Sequence, residues 1–333
     1  MFKKIMIANR GEIALRLLRT FRELGIETVI AHSTADQDSK PVLLADESIC
    51  IGAPSPKQSY LNIPNLLSAA HIAGVDAIHP GIGFLSENSS FAKKIKELGI
   101  AFIGPSPEHL DMMGDKITAK MAAIKYGLPT IPGSEGSVEN ISEAKKLAAQ
   151  IGFPIILKAA SGGGGRGMKV CYNNGDLEKN YDLCRSEAEA AFADSRVYME
   201  KYLQTPRHIE VQVLGDGNGR GWHFYERDCS IQRRHQKIIE EAPSPALPHD
   251  LRLSICGRAT AAIEKMGYLG PGTFEFLYEN GEFYFIEMNT RLQVEHTISE
   301  MITGYNLVEL QLRTTAGEKL KLEQSDIAIR GHA

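Results

Sequence analysis

The sequence predicts an α/β protein, α+β overall, in which an open parallel sheet precedes a smaller unit with a glycine-rich flap and then a strand-rich tract. Three observations predict it. Residues 3 to about 100 alternate strand and helix signals, the order that builds a parallel sheet with crossover helices. Gly162 to Gly165 and Gly167 sit between two strand-like segments. The tract from His208 to the high 290s is rich in strand signals.

The first unit opens with the strand Lys4–Ala8, the helix Glu12–Leu24 and the strand Glu27–His32. The helix repeats apolar residues at Ile13, Leu17, Leu18 and Phe21, which is helical spacing. Its other side carries Arg16, Arg19 and Glu23, read as a solvated face with a subunit interface as the alternative. Val75–His79 is a strand ending at Pro80-Gly81-Ile82-Gly83, with a helix expected from near Ser86. Gly104-Pro-Ser-Pro107 marks a boundary, and Asp115–Lys120 reads as helix. The expected division is 1–103, a helical connection 104–130, a flap-bearing unit 131–203, and 204–333.

Bulk numbers narrow the function. A chain of 333 residues, 43% hydrophobic and 23% charged, is an ordinary globular protein. Its net charge of −4 gives no global basic field, so nucleic acid is not an expected partner. The five cysteines are widely spaced with no C-x-x-C pair, which argues against a zinc site and a disulfide scaffold. No apolar run reaches membrane-spanning length and no signal peptide is visible, so a cytoplasmic location is expected.

The glycine run formally contains G-x-G-x-x-G, yet strand-like segments flank it on both sides, where a dinucleotide turn needs strand then helix. Bare backbone N–H groups in such a flap can close over polyphosphate; a flexible linker is the bland alternative. Phe274–Asn289 is a hairpin by composition, with Asn280-Gly281 at its tip. A three-residue loop, 280–282, puts Glu275 opposite Glu287 with Asn289 on the same face, a set of oxygen ligands for a divalent cation. A two-residue turn puts the carboxylates on opposite faces, and solvent-exposed glutamates remain the plain reading.

Continuing that strand, Asn289, Arg291, Gln293 and Glu295 fall at period two and extend the polar face. Arg291 beside Glu295 could clamp a small oxyanion and take its proton, or be a structural ion pair. Arg207–Val213 alternates, with Ile209, Val211 and Val213 facing a core and His208, Glu210 and Gln212 facing away from it. Gln232–Lys237 is a basic cluster, either a solvated run or an anion-binding lobe. Glu200–Leu203 follows a strand, where hinge backbone could bond an adenine edge.

Lys4–Ala14, His79–Gly81, Gly83–Asn88, Met113–Lys116, Ser161–Met168, Glu226–Ser230, Gln232–Lys237, Glu287–Arg291 and Gln293–His296 together resemble biotin carboxylase, of the ATP-grasp superfamily, from the first residue to the last. The resemblance implies a Rossmann-like N-terminal sheet followed by an ATP-grasp domain with a glycine-rich lid. It implies that Lys116 and Lys158 hold ATP phosphates under Gly164 and Gly165. Glu200, Lys201 and Leu203 would line the adenine pocket, with His208 and His235 nearby. Glu275, Glu287 and Asn289 would bind Mg²⁺ or Mn²⁺. Lys237, Arg291, Gln293 and the Val294 backbone would hold bicarbonate, with Glu295 as general base.

The implied reaction is ATP-dependent activation of bicarbonate to carboxyphosphate and carboxylation of biotin, the first half-reaction of an acyl-CoA carboxylase such as that of fatty acid biosynthesis. No Ala-Met-Lys-Met biotinylation sequence is present, so biotin is expected on a separate biotin carboxyl carrier protein, with a carboxyltransferase component and a homodimer as further partners. Two departures stand out. Ile82 replaces the family's aromatic residue near biotin, and the family continues past Ala333 with a segment that supplies another arginine and part of the dimer contact. A nucleotide-binding fragment without full activity, or another ATP-grasp carboxylate–amine ligase, are the alternatives.

Overall fold

The computed structural model describes residues 1–161, 167–234 and 236–333. The first hundred residues form β1 (Lys4–Ile7), α1 (Gly11–Glu23), β2 (Glu27–Ser33), α2 (Lys40–Leu44), β3 (Glu47–Gly52), α3 (Ile63–Ala73), β4 (Ala77–His79), α4 (Ser89–Glu97) and β5 (Ala101–Phe102). Their five strands pair in parallel in the order β3-β2-β1-β4-β5, the open doubly wound arrangement expected. Ile13, Leu17, Leu18 and Phe21 of α1 are buried against Ile5, Ile7 and Ile30 on one sheet face; Leu66, Ala70, Phe91 and Ile95 cover the other. The helix expected near Ser86 begins at Ser89, because Asn88 caps it, accepting from Phe91 N at 2.8 Å.

Helices α5 (Pro107–Gly114) and α6 (Lys116–Lys125) follow, with Asp115 capping α6. Next come α7 (Ile141–Ile151), β6 (Ile155–Ala159), β7 (Met168–Cys171), α8 (Asn174–Phe192) and β8 (Val197–Lys201), whose three strands form an antiparallel sheet ordered β7-β6-β8. The flap therefore joins two adjacent strands, β6 and β7, as the sequence indicates; Gly164 and Gly165 themselves lie outside the described residues.

The third sheet is antiparallel: β9 (Arg207–Asp216), β10 (Gly221–Arg233), β11 (Gln236–Glu241), β12 (Leu269–Glu279) and β13 (Glu282–Asn289), ordered β11-β10-β9-β12-β13. The 18-residue helix α9 (His249–Met266) interrupts this strand-rich stretch and packs its Ile255, Ala259 and Ile263 under the sheet, against Ile209, Val211 and Val213. The expected alternation of β9 holds, but Glu210 and Gln212 are fully buried too, because the polar face is enclosed as an interior network. Helices α10 (His296–Thr303) and α11 (Leu307–Thr315) return the chain to the first sheet, where Leu307, Val308 and Leu312 share a core with α1 and with Trp222 and Phe224 of β10. Arg16 of α1 is accordingly not solvated. Its guanidinium bonds Glu300 at 2.7 Å, and also Asn306 and Thr20.

Two expectations about the β12–β13 hairpin need correction. Its turn is the two-residue Asn280-Gly281, both at positive φ (53° and 87°), with Glu279 paired to Glu282. Alone, that turn would set Glu275 and Glu287 on opposite faces. Ile286 is the extra residue of a β-bulge: Phe276 pairs with Phe285 and Glu275 with Glu287, so the two carboxylates are opposite each other after all. The strand then stops at Asn289 and does not run on through Glu295. Glu87, from the loop before α4, takes the Thr290 N–H at 3.1 Å, just where the chain leaves the ladder.

Candidate active site

The two antiparallel sheets and the loops at their ends, joined by Ile82 from the loop after β4, line an open cleft of about 910 Å³. Its apolar lining includes Ile131, Ile156, Met168, Leu203, Leu277 and the bulge residue Ile286. Lys158, Lys201, His208, Lys237, Glu275, Glu287, Asn289, Arg291, Gln293, Val294 and Glu295 from the sequence-derived set also line it. His235 lies outside the described residues.

Lys237 is the hub. It stands on β11 at the hairpin with β10, and its ammonium meets Glu210, Glu275 at 2.8 Å and Glu295 at 2.7 Å. Burial alone would lower its pKa, but Glu210, Glu275 and Glu295 outweigh it and hold the ammonium well above the usual lysine range. In return, Lys237 and then Arg227 keep Glu295 below the usual carboxylate range against the effect of burial. Glu295 is thus ionised at neutral pH and able to accept a proton.

Glu275 is crowded with donors. Its Oε1 accepts from Lys237, Asn289 Nδ2 (2.7 Å) and Gln293 Nε2 (2.9 Å), and its Oε2 lies 2.8 Å from His208 Nε2. Burial opposes its charge, yet His208 and Lys237 prevail and depress the pKa. Glu287, directly across the strands, is different. No described residue hydrogen-bonds or ion-pairs with its carboxylate, and burial followed by the charge of Glu275 pushes its pKa up. Like charges set opposite one another are unfavourable unless a cation lies between them. Two carboxylates, one of them unpartnered, with the Asn289 amide oxygen on the same strand, are hard oxygen donors that suit a divalent cation.

Arg291 leaves the end of β13 through the bend at Thr290. Its Nε donates to Glu87 (3.0 Å), Nη2 to Asn289 Oδ1 (2.9 Å) and Nη1 to the Leu292 carbonyl (3.1 Å). Gln293 donates to Glu275 through Nε2 and accepts from Arg227 Nη2 through Oε1 at 2.8 Å, which fixes which way its amide points.

On the other side of the cavity, the Lys158 ammonium on β6 bonds Glu200 at 2.7 Å, and Lys120 on α6 bonds the second Glu200 oxygen at 2.8 Å. Glu200 is buried, and its two lysines hold its pKa down despite that burial. Its carboxylate is engaged by the two lysines, of which Lys158 lines the cavity while Glu200 itself does not. Lys201 Nζ binds the Gly152 and Phe153 carbonyls, and the hinge amides of Lys201 and Tyr202 are taken by Pro132 and Pro154. The Leu203 N–H has no partner among the described residues. Lys116 is the first residue of α6, near enough for its charge to act on Glu287.

Sequence reasoning missed Lys120, Arg227 and the part played by Glu210. Lys120 had a signal, four residues after Lys116 on one helix face. Arg227 lay within the family run Glu226–Ser230, but nothing in the sequence marked its burial, since a lone arginine in a strand reads as exposed. It is in fact fully buried, with Glu210, Gln212, Ser299, Gln293 and Thr273 around its guanidinium.

Comparison with known proteins decides the family. Residues 1–110 match the model of the biotin carboxylase N-terminal domain, and 115–323 that of the carbamoyl-phosphate synthase L chain ATP binding domain. The biotin carboxylase of Haemophilus influenzae is 56% identical over all of this chain and 75% of its own length. The chain belongs to the biotin carboxylase family. Biotin carboxylases are ATP-dependent ligases that carry out the biotin-carboxylating half-reaction, on an ATP-grasp fold.

A biotin carboxylase–β,γ-ATP complex from Campylobacter jejuni superposes with a TM-score of 0.95 at 52% identity, covering all of this chain and 74% of that one. The biotin carboxylase domain dimer of Hydrogenobacter thermophilus 2-oxoglutarate carboxylase, solved with MgADP and bicarbonate, gives 0.93 at 46%, covering 100% and 73%. The biotin carboxylase of Pseudomonas aeruginosa is 54% identical over the whole chain and 74% of its own length. No helix among the described residues is long and apolar enough to cross a membrane.

Proposed function

We propose that this chain's cavity activates bicarbonate with ATP and delivers the carboxyl group to biotin, with the residues above in distinct roles. A bicarbonate oxygen displaces ADP from the γ-phosphorus to give carboxyphosphate. This breaks down to CO₂ and phosphate; biotin N1′ then forms its bond to the CO₂ carbon and gives its proton to the released phosphate. The observation that carries the reading is the Lys237 hub: a charged ammonium shared by three carboxylates, one of them Glu295, in a cavity also lined by Arg291 and by the Glu275–Glu287 pair.

Arg291, Lys237, Gln293 and the exposed Val294 backbone would hold the bicarbonate, and Glu295 would take its proton. Lys116 and Lys158 would hold the nucleotide phosphates under Gly164 and Gly165. Ile131, Ile156, Met168 and Leu203 offer apolar walls to a base, and the Leu203 N–H and the carbonyls beside it offer an edge to read. Glu275, Glu287 and Asn289 would bind Mg²⁺ or Mn²⁺, which neutralises phosphate charge when bound. His208 stands 2.8 Å from Glu275 at the edge of the metal-ligand set, and His235 belongs to the same proposal by likeness alone.

Biotin would arrive on a biotin carboxyl carrier protein and leave for a carboxyltransferase component. A homodimer is proposed from the dimer of the Hydrogenobacter domain. ATP hydrolysis with Mg²⁺, measured with and without bicarbonate and then with free biotin, tests the reading. Turnover that needs bicarbonate and rises with biotin is expected. Nucleotide binding with bicarbonate-independent hydrolysis would contradict it.

A further inference from the structure

The run Gly83–Asn88 belongs to the family likeness, yet the reaction as set out above uses none of it. Within it, Glu87 reaches across to the end of β13, more than 200 positions away in sequence. Its Oε1 accepts from Thr290 N (3.1 Å) and Thr290 Oγ1 (3.2 Å), and its Oε2 accepts from Arg291 Nε (3.0 Å).

The loop that carries Glu87 is itself tied down. Asn9 Nδ2 donates to the Pro80 and Ile82 carbonyls at 2.8 and 2.9 Å. Gly81 N donates to His79 Nδ1 at 3.0 Å, and His79 Nε2 lies 3.0 Å from Gln311 Oε1 on α11. Within the loop, Ser86 N donates to the Gly83 carbonyl and Asn88 N to that of Leu85. Glu87 is therefore presented from a fixed base.

A guanidinium is planar, and its fork reads an oxyanion only when the plane is set. The Arg291 plane is set by Glu87 on Nε, Asn289 on Nη2 and the Leu292 carbonyl on Nη1. Of these, Glu87 alone comes from the N-terminal part of the chain. Its side chain is 41% exposed, where an ion pair adds little to stability, so orientation is what this pair can contribute.

We propose that Glu87 is a positioning residue for Arg291: it bends the chain at Thr290 and fixes the guanidinium for the anion that Arg291 receives. The inference rests on the assignment of bicarbonate to Arg291 made above.

The test compares Glu87→Ala, Arg291→Lys and the double variant in bicarbonate-dependent ATP hydrolysis, together with thermal unfolding and the Arg291 Nε–H resonance, assigned by its loss in Arg291→Lys. Binding of ¹³C-labelled bicarbonate to the Mg–ADP-loaded chain, read by line broadening, gives the same comparison without turnover. Glu87→Ala should lower kcat/KM for bicarbonate about tenfold or more, the scale of a small misplacement of a reacting group. KM for ATP and the unfolding temperature should stay put, and the Nε–H should lose its protection from exchange. On the Arg291→Lys background Glu87→Ala should add nothing further. Impairment by Arg291→Lys with an unaffected Glu87→Ala, or fully additive losses, would overturn the proposal. If Arg291→Lys is itself unimpaired, the bicarbonate assignment fails instead, and the role of Glu87 with it.

Discussion

Lys237 and Glu287 carry opposite electrostatic burdens, and their substitutions should behave differently. Removing the Lys237 ammonium leaves Glu210, Glu275 and Glu295 facing one another without their shared cation. Lys237→Met should cost stability on the order of 3 kcal/mol, as breaking a buried pair does. It should also cut bicarbonate-dependent turnover roughly 10²-fold or more; urea unfolding and steady-state rates measure the two losses. Glu287→Gln should do the reverse for stability. Its carboxyl is pushed up by burial and by Glu275, so a neutral amide relieves repulsion. Unfolding in EDTA should show no loss, while Mg²⁺-dependent turnover should fall steeply or require far more Mg²⁺. At this scale the sequence singled out Glu275, Glu287, Asn289 and Arg291, which do line one cavity, although the strand geometry inferred for them was not the one found. Arg227 was invisible because its burial depends on β9, β12 and α10 closing around it.

Among the elements, the β12–β13 hairpin shows why register resists reading from composition. The opposition of Glu275 and Glu287 was anticipated through a three-residue loop, whereas the chain achieves it with a two-residue turn and a bulge at Ile286. Both routes shift the register by one residue, and local sequence does not choose between them. Deleting Ile286 should therefore keep Glu287 opposite Glu275. Mg²⁺-dependent turnover should survive, with a raised KM for ATP because Ile286 lines the cavity. Deleting Tyr284 also removes the bulge but moves Phe285, 3% exposed in the core, to the other face. That deletion should cost roughly 3–5 kcal/mol, the scale of losing a buried phenylalanine, seen as a lowered urea midpoint. The end of β13 was misread for a related reason: period-two polarity continues to Glu295, but the ladder ends at Asn289, where Glu87 from a distant part of the sequence takes the Thr290 N–H.

For the molecule as a whole, the alternating β/α pattern and the glycine flap made the architecture legible, since both arise from local periodicity. The way the parts close on one another was not. His79 and His223 lie where they do so: His79 faces Gln311 of α11, and the His223 backbone bonds Gln324. Burial pushes both imidazoles down to about 4, where an unfolded chain takes up the proton near 6.5. Below that value the unfolded state binds more protons, so stability is full above about pH 6.5 and falls as pH drops toward 4. Urea midpoints should decline across that window. His79→Gln should be less stable at pH 7 yet show a shallower decline.

The central claim is that the Lys237 hub and Arg291 activate bicarbonate, and oxygen tracing tests it most directly. Turnover of ATP by this chain with ¹⁸O-labelled bicarbonate, in unlabelled water, should place one ¹⁸O in the released phosphate, because the attacking bicarbonate oxygen stays on phosphorus. Phosphate that instead takes its new oxygen from water would show plain ATP hydrolysis and contradict the account.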